Sequence, residues 1–202
     1  MSPFPEPLTG IAAPLLIDNI DTDTIIPSRE MRTTGRDGLA EGMFAPWRYT
    51  DADARIEDPD FALNKAPYRG ATILAAGANL GCGSSREHAV WALAEYGFRA
   101  MIAPSFAPIF HGNCIRNGIL PVTLTREQVA ATAGNEVTIS LRDRTVTVGT
   151  DSFDFEIDAE AKQMLAEGLD AIDLTLTQDD DYRNWLAADR QARPWIYLEH
   201  AV

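Results

Sequence analysis

A glycine-rich turn with two serines and an arginine is the part of the 202-residue chain whose residue types could do chemistry. Residues 71–80 before it are apolar, as in a buried strand, and a helical pattern runs from Arg86 to a stop at Gly97. Backbone N–H groups at a helix N-terminus are unpaired and attract anions. We therefore predict an anion site here, with Ser84 or Ser85 as the helix N-cap. Arg86 would donate two parallel hydrogen bonds to a carboxylate or phosphate.

The same turn lacks the residues that three common catalytic loops require. A Walker loop needs a lysine after its last glycine, a dinucleotide fingerprint needs a glycine where Arg86 stands, and a hydrolase elbow brackets its serine with glycines. Two serines beside an arginine instead suit a small di- or tricarboxylate. One serine hydroxyl could be the base for a proton next to a carboxylate, provided that Arg86 and the turn amides stabilise the alkoxide.

Loss of hydroxide from such a substrate also needs an electrophile, and the chain has no pattern typical of a metal site. We interpret His88 and His111 as capping or core residues, because the histidines lack HxxxH spacing. Cys82 and Cys114 lack CxxC spacing, which indicates a reducing setting, and Cys82 is interpreted as a small buried residue. We expect no metal ligand on this chain and infer that a partner supplies the electrophile.

A second polar segment, residues 18–27, begins with three aspartates in six residues. It resembles part of a calcium loop, but no glycine stands at the sharp-turn position, and we favour an Asx-turn that leads to a short helix at residues 28–31. Residues 32–38 then form a basic loop bracketed by glycines, in the least regular part of the chain. A functional loop and a merely solvated loop both fit this pattern.

Residues 71–124 predict a β-α-β-α-β series, and hence a partly parallel sheet with helices on its faces. Ligands in such sheets bind beyond the carboxyl ends of strands, where Ser84 and Arg86 fall. Pro14 in the first strand favours an edge or a bulge. The other predicted elements are antiparallel strands at 137–141, 145–148 and 153–157, helices at 158–167 and 179–192, and an extended link at 169–176.

The charge of the chain limits its partners. Net charge is −13, which argues against a nucleic acid or an anionic membrane. The first residues lack the basic and apolar regions of a signal peptide, and no apolar run is long enough to predict a membrane span. We therefore expect a cytoplasmic protein without a nucleic-acid or membrane partner.

Four segments together resemble the swivelling domain of the aconitase family: residues 83–89, 21–27, 105–113 and 118–121. The similarity extends over residues 10–195 by motif order. It implies an α/β protein of the swivelling β/β/α type, one domain over residues 1–202, with a mobile substrate-specificity loop at about 29–60. It also implies a small subunit that closes over a large subunit, where a [4Fe-4S] cluster takes the substrate hydroxyl as a Lewis acid.

By matching position, the resemblance assigns roles to five residues. Ser84 is the implied general base, and Asp23 falls where the family has an active-site aspartate. Ser85 and Arg86 are the implied contacts to a substrate carboxylate. Arg36 lies in the loop that sets substrate choice.

The reaction implied by the resemblance is the isomerisation of 2- and 3-isopropylmalate by dehydration and rehydration, in leucine biosynthesis. Small subunits of the leucine pathway often have the sequence Thr-Gly-x-Gly in the specificity loop, whereas residues 35–38 here are Gly-Arg-Asp-Gly. Methylmalate, homoaconitate-type and other malates therefore stay open as substrates. On residues alone, a non-enzymatic anion-binding module also stays open, and a stand-alone serine hydrolase is disfavoured by the missing His/Asp set.

Overall fold

The structure, a computed structural model, describes residues 1–31 and 35–197. Its strands are β1 (Leu8–Leu15), β2 (Tyr49–Asp51), β3 (Ile56–Glu57), β4 (Ile73–Ala76), β5 (Ala100–Ala103), β6 (Leu120–Thr123), β7 (Glu136–Ser140), β8 (Thr145–Val148) and β9 (Asp151–Asp154). Its α-helices are α1 (Thr22–Ile25), α2 (Ala45–Arg48), α3 (His88–Tyr96), α4 (Pro108–Arg116), α5 (Arg126–Thr132), α6 (Ala159–Glu167), α7 (Ala171–Leu176) and α8 (Asp179–Ala192). Short 3-10 turns lie at Ser28–Glu30, Ala62–Asn64 and Pro194–Ile196.

The main sheet has seven strands in the order β6-β5-β4-β1-β7-β8-β9. Strands β1, β4, β5 and β6 run parallel, whereas β7 is antiparallel to β1 and continues into an antiparallel β7-β8-β9 meander. The predicted change from parallel to antiparallel strands is therefore confirmed. The carboxyl ends of the parallel strands form one edge, and this edge carries the segment that contains the predicted site residues.

Strand β1 lies between β4 and β7 in the sheet, so taken as a whole it is not an edge strand. Its first half pairs with β7 as far as Ile11, and its second half, from Ala12 to Leu15, pairs with β4. Pro14 falls in the second half, beyond the end of the β7 ladder. At Pro14, β1 therefore pairs with β4 alone, and this locally edge-like position, as predicted, tolerates a residue that lacks an N–H.

Alternate residues of the central strands face two hydrophobic clusters, as the period of a strand requires. In β4, Leu74 and Ala76 join the cluster that contains the buried face of α3. Ile73 and Ala75 join the other cluster, which contains residues of α5 and α6. Helices therefore cover both faces of the sheet, as predicted. Because all four residues of β4 are buried, its carboxyl end is a rigid support for the chain that follows.

The region between β1 and β4 holds more packed structure than its composition suggests. Leu39 and Phe44 are fully buried, and β2 and β3 form a hairpin. The buried carboxylate of Glu30 accepts a hydrogen bond from Nη2 of Arg55 at 2.6 Å, which ties the 3-10 turn to the hairpin. Exposed residues in this region include the run 35–38.

The extended link predicted at 169–176 is wrong, because residues 171–176 form α7. Asp170 caps this helix, and Asp170 and Asp173 exchange side-chain to backbone hydrogen bonds in a capping box. The helix is short and has no buried residue, so it leaves no clear hydrophobic period in the sequence. The helix predicted at 179–192 is confirmed as α8, which also has no buried residue.

Candidate active site

The serine loop, residues 77–87, leaves the carboxyl end of β4 and leads to the start of α3. Gly81 has a φ of +76°, and a Cβ there would lie 2.0 Å from Cγ of Phe110, so the turn requires glycine. The N–H of Leu80 donates to the carbonyl of Ser105 at 3.1 Å, which ties the loop to the chain that follows β5. Ser84 is exposed, as is the serine after it, so both are accessible from solvent at the predicted edge.

Helix α3 begins at His88, so the prediction that Ser84 or Ser85 caps it is wrong. Glu87 holds the N-cap position, and Nδ2 of Asn117 donates to its Oε1 at 2.9 Å. A carboxylate beside the first turn already complements the helix dipole. The positive charge next to the serines therefore comes chiefly from the arginine of the loop.

The acidic turn before α1 confirms the predicted Asx-turn. Asp21 is the N-cap of α1, and its Oδ1 accepts a hydrogen bond from the N–H of Thr24 at 2.6 Å. The helix predicted at residues 28–31 is present as the 3-10 turn Ser28–Glu30. The acidic turn lies beside the serine loop, because the N–H of Thr22 donates to the carbonyl of Cys82 at 2.9 Å. Two segments that are far apart in sequence thus form one site.

Asp23 and Arg86, two of the predicted site residues, form an ion pair. The same Nη1 of Arg86 donates to Oγ of Ser28 at 3.0 Å. The side chain of Arg86 is 31% exposed and that of Asp23 is 57% exposed, so a ligand in solvent can reach both. A guanidinium has five donors in a plane, and the two bonds described here share one nitrogen. The arginine can therefore bind a carboxylate while it is held by the acidic turn.

The backbone of Ser84 is held from both sides by a buried threonine. Oγ1 of Thr22 donates to the carbonyl of Ser84 at 3.0 Å and accepts from its N–H at 3.2 Å. These bonds to another segment keep Ser84 out of α3, which explains the late start of that helix. Thr22 was not among the site residues predicted from the sequence.

Arg36 lies over Trp91 of α3, with its Cζ 5.1 Å from the ring centroid, in a cation–π contact. The ring of His88 lies 4.7 Å from the same tryptophan, on the preceding turn of the helix. Arg36 is therefore brought to the helix that directly follows the serine loop. Residues 32–34 of the predicted specificity loop lie outside the described residues.

Glu95 of α3 anchors this loop and was missed by the sequence reasoning. Its Oε1 accepts from the N–H of Gly38 at 2.6 Å, and its Oε2 accepts from Leu39 at 2.6 Å and Ala40 at 2.8 Å. Burial acts to raise the pKa of Glu95, but the three backbone N–H groups outweigh it and hold the pKa below its usual value. A glutamate in the last turns of a helix carries no local signature of such a partner, so no pattern in the sequence could have identified it.

Burial favours the neutral form of two other candidate groups, His111 and Cys114. Burial lowers the pKa of His111, whose ring lies 5.8 Å from that of Phe106, although the charge of Asp158 acts against the shift. Burial raises the pKa of the Cys114 thiol, which is fully buried. Cys82 is only half-buried, so its prediction as a buried residue holds in part.

The described residues hold neither a metal-binding cluster nor a membrane-spanning helix. Within 1–31 and 35–197, no group of three or more His, Cys, Asp or Glu side chains is arranged to hold a metal ion. The residues of this part of the chain therefore do not fit a resident metal or an iron–sulfur cluster. Across the same ranges, no helix combines the length and the apolar character that crossing a bilayer requires.

The parallel edge with its serine loop and arginine belongs to a known class of domain. The family described as the aconitase C-terminal domain matches residues 4–127, which is more than half of the chain. The chain therefore belongs to the aconitase family, and the resemblance of its motifs to the swivelling domain of that family is confirmed.

Within this family, the chain is similar to the small subunits of one dehydratase. It is 52% identical to a 3-isopropylmalate dehydratase small subunit from Cupriavidus necator, over 96% of this chain and 99% of the relative. It is 48% identical to one from Paramagnetospirillum magneticum, over 94% and 97%. A crystal structure of 3-isopropylmalate dehydratase from Methanocaldococcus jannaschii matches with a TM-score of 0.66 and 28% identity, over 88% of this chain and 98% of that one. The predicted fold and the prediction of a dehydratase small subunit are thereby confirmed.

Proposed function

We propose that the chain acts with a large subunit to isomerise 2-isopropylmalate and 3-isopropylmalate by dehydration and rehydration, in leucine biosynthesis. The observation that carries the proposal is the meeting of Ser84, Arg86 and Asp23 at the carboxyl edge of the parallel strands. Its support from relatives is the 52% identity to a protein named for this reaction.

In this proposal Ser84 is the general base. Its alkoxide oxygen takes the proton from the carbon next to a substrate carboxylate, the C–H bond breaks, and its electron pair forms the double bond as hydroxide leaves. Rehydration runs the same steps in reverse with hydroxide on the neighbouring carbon. An alkoxide at neutral pH needs nearby positive charge and the exclusion of water, and Arg86 is the cation of this loop.

The other four residues bind and orient the substrate. Arg86 and Ser85 contact a carboxylate, and Asp23 holds the guanidinium of Arg86 in place through their ion pair. Arg36, which stacks on Trp91, reaches the substrate from the specificity loop and takes part in its selection. The substrate in this proposal is a small dicarboxylate, because the planar guanidinium of Arg86 can donate two hydrogen bonds to one carboxylate.

The electrophile for the departing hydroxide belongs to the partner in this proposal. The described residues of this chain do not fit a cluster, so we assign the [4Fe-4S] cluster expected for the family to the large subunit. We also propose that residues 1–202 work as one swivelling domain with a mobile specificity loop within residues 29–60, and that the pair works in the cytoplasm. Residues 35–38 of this loop are exposed to solvent.

Reconstitution tests the split site. We expect the purified chain alone to be inactive and the chain mixed with a cluster-bearing large subunit to isomerise isopropylmalate. Robust turnover by this chain alone would refute the model. A preference of the pair for methylmalate or a homoaconitate-type substrate would retain the chemistry and change the substrate, as the Gly-Arg-Asp-Gly sequence of the loop allows.

Substitution of the base tests the chemistry. Ser84→Ala should lower kcat by several orders of magnitude and leave binding to the large subunit unchanged. Ser152→Ala removes another exposed serine, on β9, and should leave kcat unchanged. A loss of only a few-fold in Ser84→Ala would exclude this serine as the base.

A further inference from the structure

Thr22 has an unusual environment for a residue beside an exposed site. Its side chain is 1% exposed, and its hydroxyl bonds both backbone groups of a single residue, the N–H and the carbonyl of Ser84. Its own N–H reaches the same loop, at the carbonyl of Cys82. A hydroxyl has one donor and two acceptor positions, so both bonds to Ser84 can exist at once.

We propose that Thr22 is the positioning residue that fixes the main chain of Ser84 and thereby aims its side chain, an inference that rests on the proposed role of Ser84 as the base. The two peptide groups that flank the Cα of Ser84 are both held, so the direction of its Cα–Cβ bond is held as well. The preceding residue, Gly83, has a φ of +92° and no side chain to restrain it. The loop therefore depends on contacts from outside for its order.

The geometry separates a positioning role from a purely structural one. Valine has the shape of threonine without the hydroxyl, so Thr22→Val removes both bonds and preserves the packing of the buried side chain. Ser84 is exposed, and water can bond the N–H and carbonyl that the substitution frees. The stability of the fold should then change little, whereas the base loses its fixed position. A displacement of about 1 Å in a reacting group can lower a rate about 100-fold.

The test uses the reconstituted two-subunit enzyme. Thr22→Val should lower kcat about 10- to 100-fold and leave KM within about threefold, since the base and not the carboxylate contacts is displaced. Thr22→Ser retains the hydroxyl and should restore kcat to within about threefold of the unmodified enzyme. The matched control is Thr132→Val in α5, since Thr132 is also fully buried and donates to a backbone carbonyl, that of Val129, at 2.8 Å. This control should leave kcat unchanged.

A second measurement reports on the proton transfer itself. With substrate deuterated at the abstracted position, the isotope effect on kcat should rise in Thr22→Val, because C–H cleavage becomes slower relative to the other steps. A smaller fraction of correctly folded enzyme would lower kcat without changing the isotope effect. That result, or a kcat loss that serine does not rescue, would overturn the proposal.

Amide hydrogen exchange at Ser84 in the isolated chain separates this inference from the proposed function. Exchange should be faster in Thr22→Val than in the unmodified chain, and this measurement requires no activity. Unchanged exchange would overturn the role of Thr22 and leave Ser84 as the base. A weak effect of Ser84→Ala on kcat would instead overturn the base assignment and, with it, the reason for aiming this residue.

Discussion

Replacement of Glu95 by glutamine should loosen the loop that carries Arg36. In the folded chain the two carboxylate oxygens accept three backbone N–H groups, from Gly38, Leu39 and Ala40. A glutamine keeps one acceptor oxygen, which can still serve two of these groups without the charge. Its NH₂ group then faces the third N–H, donor against donor. Because the site is partly exposed, we expect a cost of about 1–2 kcal/mol, from the low end of the range for charged hydrogen bonds.

Amide exchange at residues 38–40 measures this cost directly. A loss of about 1–2 kcal/mol corresponds to exchange that is about 5- to 30-fold faster. The pKa of Glu95 is lowered in the folded chain, so the carboxylate adds stability that is complete above its ordinary value of 4.5 and is lost as the pH falls through the lowered pKa. Protection of residues 38–40 should therefore weaken in this acidic range in the unmodified chain. In Glu95→Gln the protection should be low already at neutral pH and should not show this step.

The control is Glu160→Gln, which changes an exposed glutamate in the first turn of α6. It should leave exchange at residues 38–40 unchanged. In the reconstituted enzyme, Glu95→Gln should raise KM for the dicarboxylate more than it lowers kcat, since Arg36 and not the base is displaced. Exchange that stays within about twofold of the unmodified chain would refute the reasoning, because the hydrogen bonds would then contribute less than about 0.5 kcal/mol.

Two further substitutions test the serine loop. Arg86→Lys replaces a planar fork by a single ammonium, and KM for the dicarboxylate should rise about 10- to 100-fold in the reconstituted enzyme, as the loss of one charged hydrogen bond predicts; an unchanged KM would contradict the carboxylate contact. Gly81→Ala combines a positive φ with a clash against the buried ring of Phe110, and should lower the free energy of unfolding in urea by about 2–4 kcal/mol. Gly70→Ala, with a φ of +73° and no neighbour within 4 Å, should cost only about 1 kcal/mol, and equal losses in the two variants would contradict the role of Phe110.

Local patterns were sufficient to predict the centre of the fold. The apolar runs at β4, β5 and β6, each followed by a helical pattern or a turn, predict parallel strands because buried strands of this kind are connected by crossover helices. The Asx-turn at Asp21 was also predictable, since aspartate bonds its own backbone a few residues ahead. Both predictions depend only on residues that are close in sequence.

The contacts that build the site could not be predicted, because they join distant segments. Thr22 meets Ser84 across 62 residues and Arg86 meets Asp23 across 63, and neither pair has a spacing that a local pattern could reveal. The mistaken N-cap has the same cause. Serine is favoured at a helix start, but the bonds from Thr22 hold Ser84 in the loop, and the helix begins later at His88.

The charges of this edge give a physical reason for a site that is shared between two chains. Arg86 is half-exposed and already paired with Asp23, and an exposed pair of this kind contributes about 0–1 kcal/mol, so a substrate carboxylate can share or displace it at little cost. The gain from binding is also small while the edge is open to water, and a chain with a net charge of −13 repels an anion at long range. A second protein surface that covers the edge would exclude water, strengthen the attraction between Arg86 and the carboxylate, and make a serine alkoxide less costly. The proposed division of the reaction between two subunits thus agrees with the electrostatics of this edge, independently of where the cluster lies.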